Sequence, residues 1–295
     1  MINYIVYGDT DSMYIDLGSW LTKLNPAWTK LTDDKKIGLL LDTCKLIQGY
    51  VNKHVFEDVQ LGEYNSIVTD FKIEFKQELI AKRALFITKK RYAYWACNNE
   101  GVPCDEIEYR GLEVVRSETP IYMRKALKDI INNILRGMSH DELKVMINEH
   151  IKYMESCDID EIASNINVKD LYKYMDKDGV LREDLKNISG GKLGIPRHIV
   201  GTANNIMMAK KLNIDNKYEP IIPDQKAKVV YLKPNNFNLD SMTYIEWPAE
   251  FTNIGLEVDR SKIINKQFIS KLEAIFKHIN LLSLLNINVS IEEFF

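Results

Sequence analysis

The most constraining feature of the sequence is a short turn near its start that carries two carboxylates. Residues 4–7 (YIVY) and 13–15 (MYI) are aromatic and β-branched, so both runs favour strand. Gly8, Asp9, Thr10 and Asp11 between them have turn chemistry, which predicts a β-hairpin with Asp9 and Asp11 at its tip. Two carboxylates this close repel each other unless a cation lies between them. A hairpin whose acids are simply solvated is the alternative.

Composition limits the classes of protein that this chain can belong to. Its 295 residues, 45% of them hydrophobic, allow a buried core in two domains. The sequence has no apolar run of 18 residues and no signal peptide pattern, which predicts no membrane association. Its four cysteines include no CxxC pair, so neither a zinc site nor a disulfide framework is indicated, and an intracellular location is the simplest expectation.

Basic charge is local in this sequence. The net charge is −3, from 39 basic and 42 acidic residues, which does not describe a globally basic nucleic-acid-binding protein. From residue 72 to residue 94, however, seven basic residues face two acidic ones, and from residue 182 to residue 233 ten face five. Two such stretches suit a protein that grips a phosphate backbone with chosen surfaces. Chance clustering on a solvated face is the alternative for the second stretch.

Hydrophobic periodicity predicts the order of the elements. The predicted helices are 33–58, 121–136, one capped by Ser139 with Glu142 three residues on, 197–212 and 259–280. The predicted strands after the hairpin are 70–80, 84–97, 104–110, 227–233 and 243–247, with a turn at 98–101 and a loop at 176–196. The fold class predicted from this order is α+β, with antiparallel strands and a packing helix first and a mostly helical domain after them.

Two motifs carry a family resemblance. The YGDTDS hairpin resembles motif C of the family B DNA polymerases, which presents its acids to two magnesium ions. Residues 89–93 (KKRYA) resemble the palm strand of that family whose lysines follow the minor groove of the primer-template. Lysine can donate to minor-groove acceptors that every A·T pair presents, so such contacts tolerate any sequence. The resemblance therefore implies DNA contacts by Lys89, Lys90, Arg91 and Tyr92, with a solvated basic strand face as the alternative.

The resemblance also implies a third acidic residue. In the family, ten residues separate a palm glutamate, which helps to order the metals, from the first lysine of KKRY. Glu78 stands at that spacing from Lys89, although the family's preceding glutamate is Lys76 here. The implied catalytic set is Asp11 as the bridging metal ligand, Asp9 as a second metal ligand, and Glu78. A solvated glutamate is the alternative.

Within the family, the later sequence is similar to the T-even phage replicative polymerases. Residues 111–128 resemble their crossing from palm to thumb, and residues 162–164 and 196–201 resemble thumb segments. The resemblance implies DNA-backbone contacts by Arg197 and His198. The tyrosine-asparagine pair usual after them appears only as Asn204-Asn205, and a structural role is the alternative for His198. The implied domains are 1–111 for the C-terminal part of the palm and 112–280 for the thumb.

Other parts of such a polymerase are absent from this sequence: the exonuclease domain, the motif A aspartate and the fingers signature. This fits a fragment or, slightly favoured, the C-terminal product of a split gene. The implied enzyme is a magnesium-dependent DNA-directed DNA polymerase that acts on primer-template DNA and dNTP only with an N-terminal polymerase half, in the bacterial host cytoplasm during infection. The alternative function is a non-catalytic DNA- and clamp-binding accessory with a degenerate palm.

The last residues resemble a peptide that docks to a sliding clamp. In residues 281–295 we predict a separate tail, whose final eight residues (NVSIEEFF) resemble the clamp-binding pattern with asparagine in place of glutamine. The implied contacts are Asn288, Ile291, Phe294 and Phe295, because such interfaces concentrate their energy in a few apolar anchors. A frayed apolar terminus is the alternative.

Overall fold

The computed structural model describes residues 4–59, 74–182 and 194–285. The chain divides into two units, Met1–Leu112 and Glu113–Phe295. Both units contain helices and a sheet, and every strand pairing within the described residues is antiparallel. The prediction of an α+β fold is confirmed.

The first unit opens with the predicted hairpin. Strands β1 (Ile5–Asp9) and β2 (Ser12–Ile15) pair with Asp9 opposite Ser12. Two helices follow: α1 (Leu17–Leu24), which the sequence analysis missed, and α2 (Asp33–Val51), which continues as a π-helical stretch to Glu57. The helix predicted at 33–58 is therefore present.

Helix α2 buries none of its side chains. The apolar stripe that predicted it, which includes Ile37 and Ile47, is half-buried. On other positions of the helix Leu46 and Tyr50 are exposed. The helix is therefore apolar over more of its circumference than the first unit covers.

A three-stranded antiparallel meander follows, and it differs from two of the predicted strands. Its strands are β3 (Leu79–Thr88), β4 (Arg91–Asn99) and β5 (Val102–Arg110). The strand predicted at 84–97 is wrong, because the chain reverses at residues 89–90 in its middle. In the strand predicted at 70–80, residues 74–78 have no strand pairing and residues 70–73 lie outside the described residues.

Both turns of this meander use left-handed backbone. At the second turn Glu100 and Gly101 have φ of 47° and 88°, the conformation that suits a two-residue hairpin. At the first turn Lys90 has φ of 62°. A lysine is uncommon in this region of the Ramachandran map, so a pattern of strand-forming residues gives no sign of the reversal there.

The second unit begins with two helices that end and start as their sequences indicate. Helix α3 (Ile121–Arg136) follows Pro120 and ends at Gly137, which has φ of 86°. Helix α4 (His140–Ser156) starts with the capping box predicted from Ser139 and Glu142. Apolar side chains of α3, such as Leu127 and Ile131, are fully buried.

A second three-stranded sheet supports the rest of this unit. Its strands are β6 (Ser164–Asn167), β7 (Lys226–Tyr231) and β8 (Ser241–Tyr244), in that order. The sequence analysis missed β6, a four-residue strand whose asparagines give no strand signal. The helices of this part are α5 (Ile159–Ile162), α6 (Leu171–Tyr174), α7 (Arg197–Lys211), α8 (Ala249–Asn253), α9 (Arg260–Ile264) and α10 (Ser270–Phe276), with a π-helical stretch Asn265–Ile269 between the last two.

The packed part of the second unit reaches into the segment predicted as a separate tail. A 3-10 turn spans Leu282–Leu285, and Leu281 and Leu284 are buried. Residues 281–285 therefore contribute to the core of this unit.

Helix α7 lies against β8 at Gly201, and this contact can be tested. A Cβ at Gly201 would stand 2.6 Å from the Thr243 hydroxyl and 2.7 Å from the Thr243 backbone nitrogen. We expect Gly201→Ala to lower the free energy of unfolding by about 1–3 kcal/mol, because the helix must move away from the sheet. Chemical denaturation followed by circular dichroism measures this. The matched control is Gly49→Ala in α2, where nothing lies within 4 Å and the free energy of unfolding should not fall.

Candidate functional site

The two aspartates of the hairpin lie at its tip in different surroundings. Asp9 ends β1, and its side chain is 23% exposed. Its backbone carbonyl accepts a hydrogen bond from the Ser12 hydroxyl at 3.1 Å, and its Oδ1 accepts one from the Thr10 hydroxyl at 3.3 Å. Asp11, in the turn, is exposed. The tip therefore presents one fixed carboxylate and one open to solvent.

The turn between β3 and β4 meets this tip. The Lys90 ammonium lies 3.7 Å from Oδ2 of Asp9, and the Lys90 backbone N–H donates to the Tyr7 hydroxyl at 2.8 Å. The two aspartates and the basic KKRY segment, which are far apart in the sequence, are thus neighbours in the first unit. Exposed ion pairs of this kind contribute little to stability, so the contact matters for where the charges lie.

Aromatic packing holds the hairpin in this position. The rings of Tyr7 and Tyr14 on the hairpin pack against those of Phe86 and Tyr92 on the meander, with centroid distances between 5.3 and 5.6 Å across the contact. The Tyr14 hydroxyl also donates to the Tyr92 hydroxyl at 3.3 Å. Burial, followed by this hydrogen bond, raises the pKa of Tyr14 well above its usual value, so the contact stays uncharged. These four residues are called the aromatic clamp below.

The backbone of Gly111 lies very close to the Lys90 turn. It has φ of 62°, and a Cβ built on it would lie 2.0 Å from the Lys90 carbonyl oxygen. No side chain fits there. The Lys90 N–H is therefore bonded to Tyr7, its ammonium faces Asp9, and its carbonyl lies close to the backbone of Gly111.

The other residues of the KKRY segment face different surroundings. Lys89 is exposed at the turn, whereas Arg91 and Tyr92 are half-buried in β4. Tyr92 belongs to the aromatic clamp. The expected DNA contacts by these four side chains remain a prediction, and Lys89 and Lys90 are the two that are exposed.

The structure does not bring Glu78 to the aspartates. Glu78 is exposed, directly before β3, and its carbonyl accepts a hydrogen bond from the Glu100 N–H at the opposite turn of the meander. The ten residues of β3 separate it from the Lys90 turn, which at about 3.3 Å per residue is roughly 30 Å. Spacing in the sequence could not show this, because the sequence pattern predicts strands at 70–80 and 84–97, whereas β3 runs unbroken from Leu79 to Thr88.

In the second unit, Arg197 and His198 line one cavity of about 960 Å³. Arg197 begins α7, and its guanidinium stacks on the Tyr231 ring at 3.8 Å and donates to the Tyr231 hydroxyl. The backbone carbonyl of His198 accepts bonds from the hydroxyls of Thr202 and Thr243. Its Nε2 is buried without a hydrogen-bond partner in the described structure. Arg197 is exposed and His198 is half-buried, so neither side chain belongs to the buried core.

Further basic residues line the same cavity and were missed by the sequence analysis. They come from the start of the unit, from the segment after β6, from β7 and from α10: Arg116, Lys169, Lys226, Lys228 and Lys271. Burial lowers the pKa of Lys271, the direction expected for an ammonium in a partly desolvated wall. Lys228 is paired with Asp160 at 2.5 Å. The acidic residues of the lining are Glu113 and Glu118.

The clamp-docking prediction lies outside the described residues, since Asn288, Ile291, Phe294 and Phe295 all follow residue 285. Within residues 4–59, 74–182 and 194–285, no group of three or more His, Cys, Asp or Glu side chains could hold a metal ion. In the same ranges no helix is long and apolar enough to cross a membrane.

A comparison with family models identifies the chain. The model of DNA polymerase family B matches residues 60–279, about three quarters of the sequence. The chain belongs to DNA polymerase family B. The matched region includes the KKRY segment, Gly111 and the cavity of the second unit, and it begins after the aspartate hairpin. A comparison with curated proteins finds no match.

Membership of this family establishes the coarse function. Family B polymerases act on DNA and nucleotide substrates in DNA replication, and they generally use divalent metal ions. The aromatic clamp could not be assigned from the sequence, because it joins segments separated by more than 70 residues. The role of Gly111 could not be assigned either, because it depends on a tertiary contact with the Lys90 turn.

The Gly111 contact can be tested against a second left-handed glycine. We expect Gly111→Ala to lower the free energy of unfolding by more than Gly101→Ala does. Both alanines meet an unfavourable φ, worth about 1 kcal/mol, but only the first collides with the Lys90 carbonyl, since nothing lies within 4 Å at Gly101. Amide hydrogen exchange should also be faster at Lys90 in Gly111→Ala alone. Equal effects of the two variants would show that the turn does not depend on this contact.

Proposed function

We propose that this chain supplies the C-terminal part of the palm and the thumb of a family B DNA-directed DNA polymerase of the T-even phage type. In this proposal residues 1–111 provide the motif C aspartates and the KKRY contacts, and residues 112–280 grip the duplex. Nucleotide addition requires the exonuclease, motif A and fingers parts, which this sequence does not contain.

The observation that carries the proposal is the contact between Lys90 and Asp9. Two motifs that resemble different parts of a polymerase palm come together in one unit, although nothing in their sequence spacing requires it. The family match supports the proposal for the KKRY segment, and the geometry extends the support to the hairpin that the match does not include. A hairpin with solvated acids would have no reason to face the basic turn.

The hairpin fits a divalent metal as part of a larger set of ligands. Asp9 and Asp11 offer the hard oxygen atoms that magnesium prefers, and Asp11 is open to solvent. Two carboxylates alone are a poor site for an ion that wants six oxygen ligands. We therefore assign Asp11 and Asp9 to the metal together with the motif A aspartate, and leave Glu78 out of the set because of its position.

Magnesium bound there would lower the pKa of the primer 3′-hydroxyl and neutralise charge on the triphosphate. The residues of this chain have simpler tasks. Asp9 and Asp11 hold negative charge at the hairpin tip, and the aromatic clamp keeps that tip beside the Lys90 turn. Lys89 and Lys90 then place positive charge beside the DNA strand that binds next to the acids.

The thumb and tail complete the proposal. Arg197 and His198 contact the DNA backbone, and the peptide with Asn288, Ile291, Phe294 and Phe295 docks to the sliding clamp. The motif resemblances support these roles. They also support the proposal that the DNA synthesis takes place in an infected bacterial cell. A non-catalytic accessory that binds DNA and the clamp is the second candidate, and the presence of both aspartates beside Lys90 argues against it.

Primer extension tests the catalytic assignment. This chain should extend no primer alone, and should do so with the exonuclease–fingers part added. In that mixture Asp11→Ala should abolish nucleotide addition, since no described neighbour can replace a bridging carboxylate, whereas Asp9→Ala should slow it on the order of 10–1000-fold. Asp34→Ala, an exposed acid in α2, is the control and should have no effect.

Each alternative result is informative. Extension by the chain alone would contradict the need for the other parts. DNA binding without any extension in the mixture would favour the accessory function. Equal loss with Asp9→Ala and Asp11→Ala, at unchanged circular dichroism, would show that the assigned order of the two roles is wrong.

DNA binding tests the KKRY assignment separately. In fluorescence anisotropy with primer-template duplexes, Lys90→Gln should weaken binding equally for different sequences. It should also reduce the slope of log affinity against log salt by about one, as for one lost cation contact. Lys144→Gln, an exposed lysine of α4, is the control for a general change of charge. An unchanged slope for Lys90→Gln would show that this lysine lies on a solvated basic face and does not contact DNA.

A further inference from the structure

Helix α2 carries an apolar stripe on a side that the first unit leaves open. Leu39, Leu46 and Tyr50 are 48%, 76% and 64% exposed, and their spacing of seven and four residues places them on one face of the helix. The half-buried apolar positions of α2, such as Ile37 and Cys44, lie on a different face. Single exposed apolar residues are common, whereas a stripe of them on one helix face is typical of a surface that another chain covers.

A lysine stands at each end of this stripe. Lys35 comes four residues before Leu39 and Lys53 three residues after Tyr50, so both share the face of the stripe. Both lysines are exposed, and neither has an ion-pair partner within the described residues. The stripe from Lys35 to Lys53 therefore has an apolar centre and an unpaired positive charge at each end, about 27 Å apart at 1.5 Å per residue.

The charges at the two ends decide which kind of partner fits. In a parallel pair of two copies, each lysine of the stripe would lie beside its own counterpart. In an antiparallel pair, Lys35 of one copy would lie beside Lys53 of the other. Like charges would meet at both ends in either orientation, and juxtaposed like charges disfavour an interface. A different chain with a carboxylate at each end of its own apolar stripe matches the surface instead.

We propose that this stripe docks an amphipathic helix of the exonuclease–fingers part of the polymerase, a helix whose apolar side carries a carboxylate near each end. The inference rests on the function proposed above, which requires that part, and it adds where the part binds. Leu46 and Tyr50 are the apolar anchors of the interface, because they are the most exposed side chains of the stripe. Lys35 and Lys53 fix the register of the partner helix through two ion pairs.

Assembly of the two parts tests the apolar centre. Sedimentation velocity of the full chain mixed with the exonuclease–fingers part should show a complex, and Leu46→Glu should weaken it about tenfold or more, because a charge replaces a central anchor. Since Leu46 is largely exposed, the variant by itself should keep its circular dichroism and melting temperature. Val145→Glu, at a position of helix α4 that is 57% exposed, is the matched control and should leave the affinity unchanged. An unchanged affinity in Leu46→Glu would overturn the proposal.

The salt dependence of assembly tests the two ends. The dissociation constant of the unchanged complex should rise with salt, because salt screens the two ion pairs. In the double variant Lys35→Glu/Lys53→Glu the dissociation constant should be larger at low salt and should fall as salt is added, because acids then face acids. Lys144→Glu in α4 controls for a general change of charge and should keep the original salt dependence. If the double variant keeps the original affinity and salt dependence, the two lysines meet no carboxylates and the proposal is wrong.

The other outcomes separate this inference from the proposed function. If the chain sediments as a dimer by itself and Leu46→Glu makes it a monomer, the stripe joins two copies and the proposal is wrong. If the mixture extends a primer but no stripe variant changes assembly, only this inference fails. If the parts assemble through the stripe yet extend no primer, the proposed function fails and the interface stands. If they neither assemble nor extend a primer, both fail.

Discussion

The candidate active site depends on the packing of four aromatic rings. A two-stranded hairpin is only marginally stable by itself, and the aspartate hairpin has no third strand within the described part of the chain. Tyr7 and Tyr14 instead stabilise the hairpin by packing on Phe86 and Tyr92. Burial and the hydrogen bond to Tyr92 raise the pKa of Tyr14 still further above the physiological range, in which a tyrosine is uncharged in any case. The position of both acids follows from this packing.

Tyrosines place basic groups in both units, by different means. In the first unit the Tyr7 hydroxyl accepts the Lys90 backbone N–H and so fixes the turn, leaving the ammonium to the neighbouring carboxylate. In the second unit the face of Tyr231 gathers cationic side chains directly, those of Arg197, Lys262 and Lys266. In a chain with a net charge of −3, both arrangements hold a few cations at fixed places on an otherwise acidic background.

Local signals in the sequence predicted local structure well. Asp9 and Asp11 in turn chemistry predicted the hairpin, and the Ser139 capping box starts a helix as expected. The turn at Lys90 could not be predicted, because a strand-forming pattern runs through it and its left-handed lysine is held by tertiary contacts. The place of Glu78 could not be predicted either, because β3 runs unbroken between it and the Lys90 turn. The Tyr231 cluster joins three segments far apart in the chain, and no periodicity describes such a contact.

The left-handed backbone of Lys90 has a consequence for engineering. At φ of 62° a glycine or asparagine would be better tolerated than lysine, so the turn retains a charged side chain at the expense of conformational energy. A redesign that optimises stability alone would exchange this residue first and would remove the ammonium that faces Asp9. Efforts to stabilise enzymes of this kind should therefore keep Lys90 unchanged. Its unfavourable backbone conformation is better read as a marker of function.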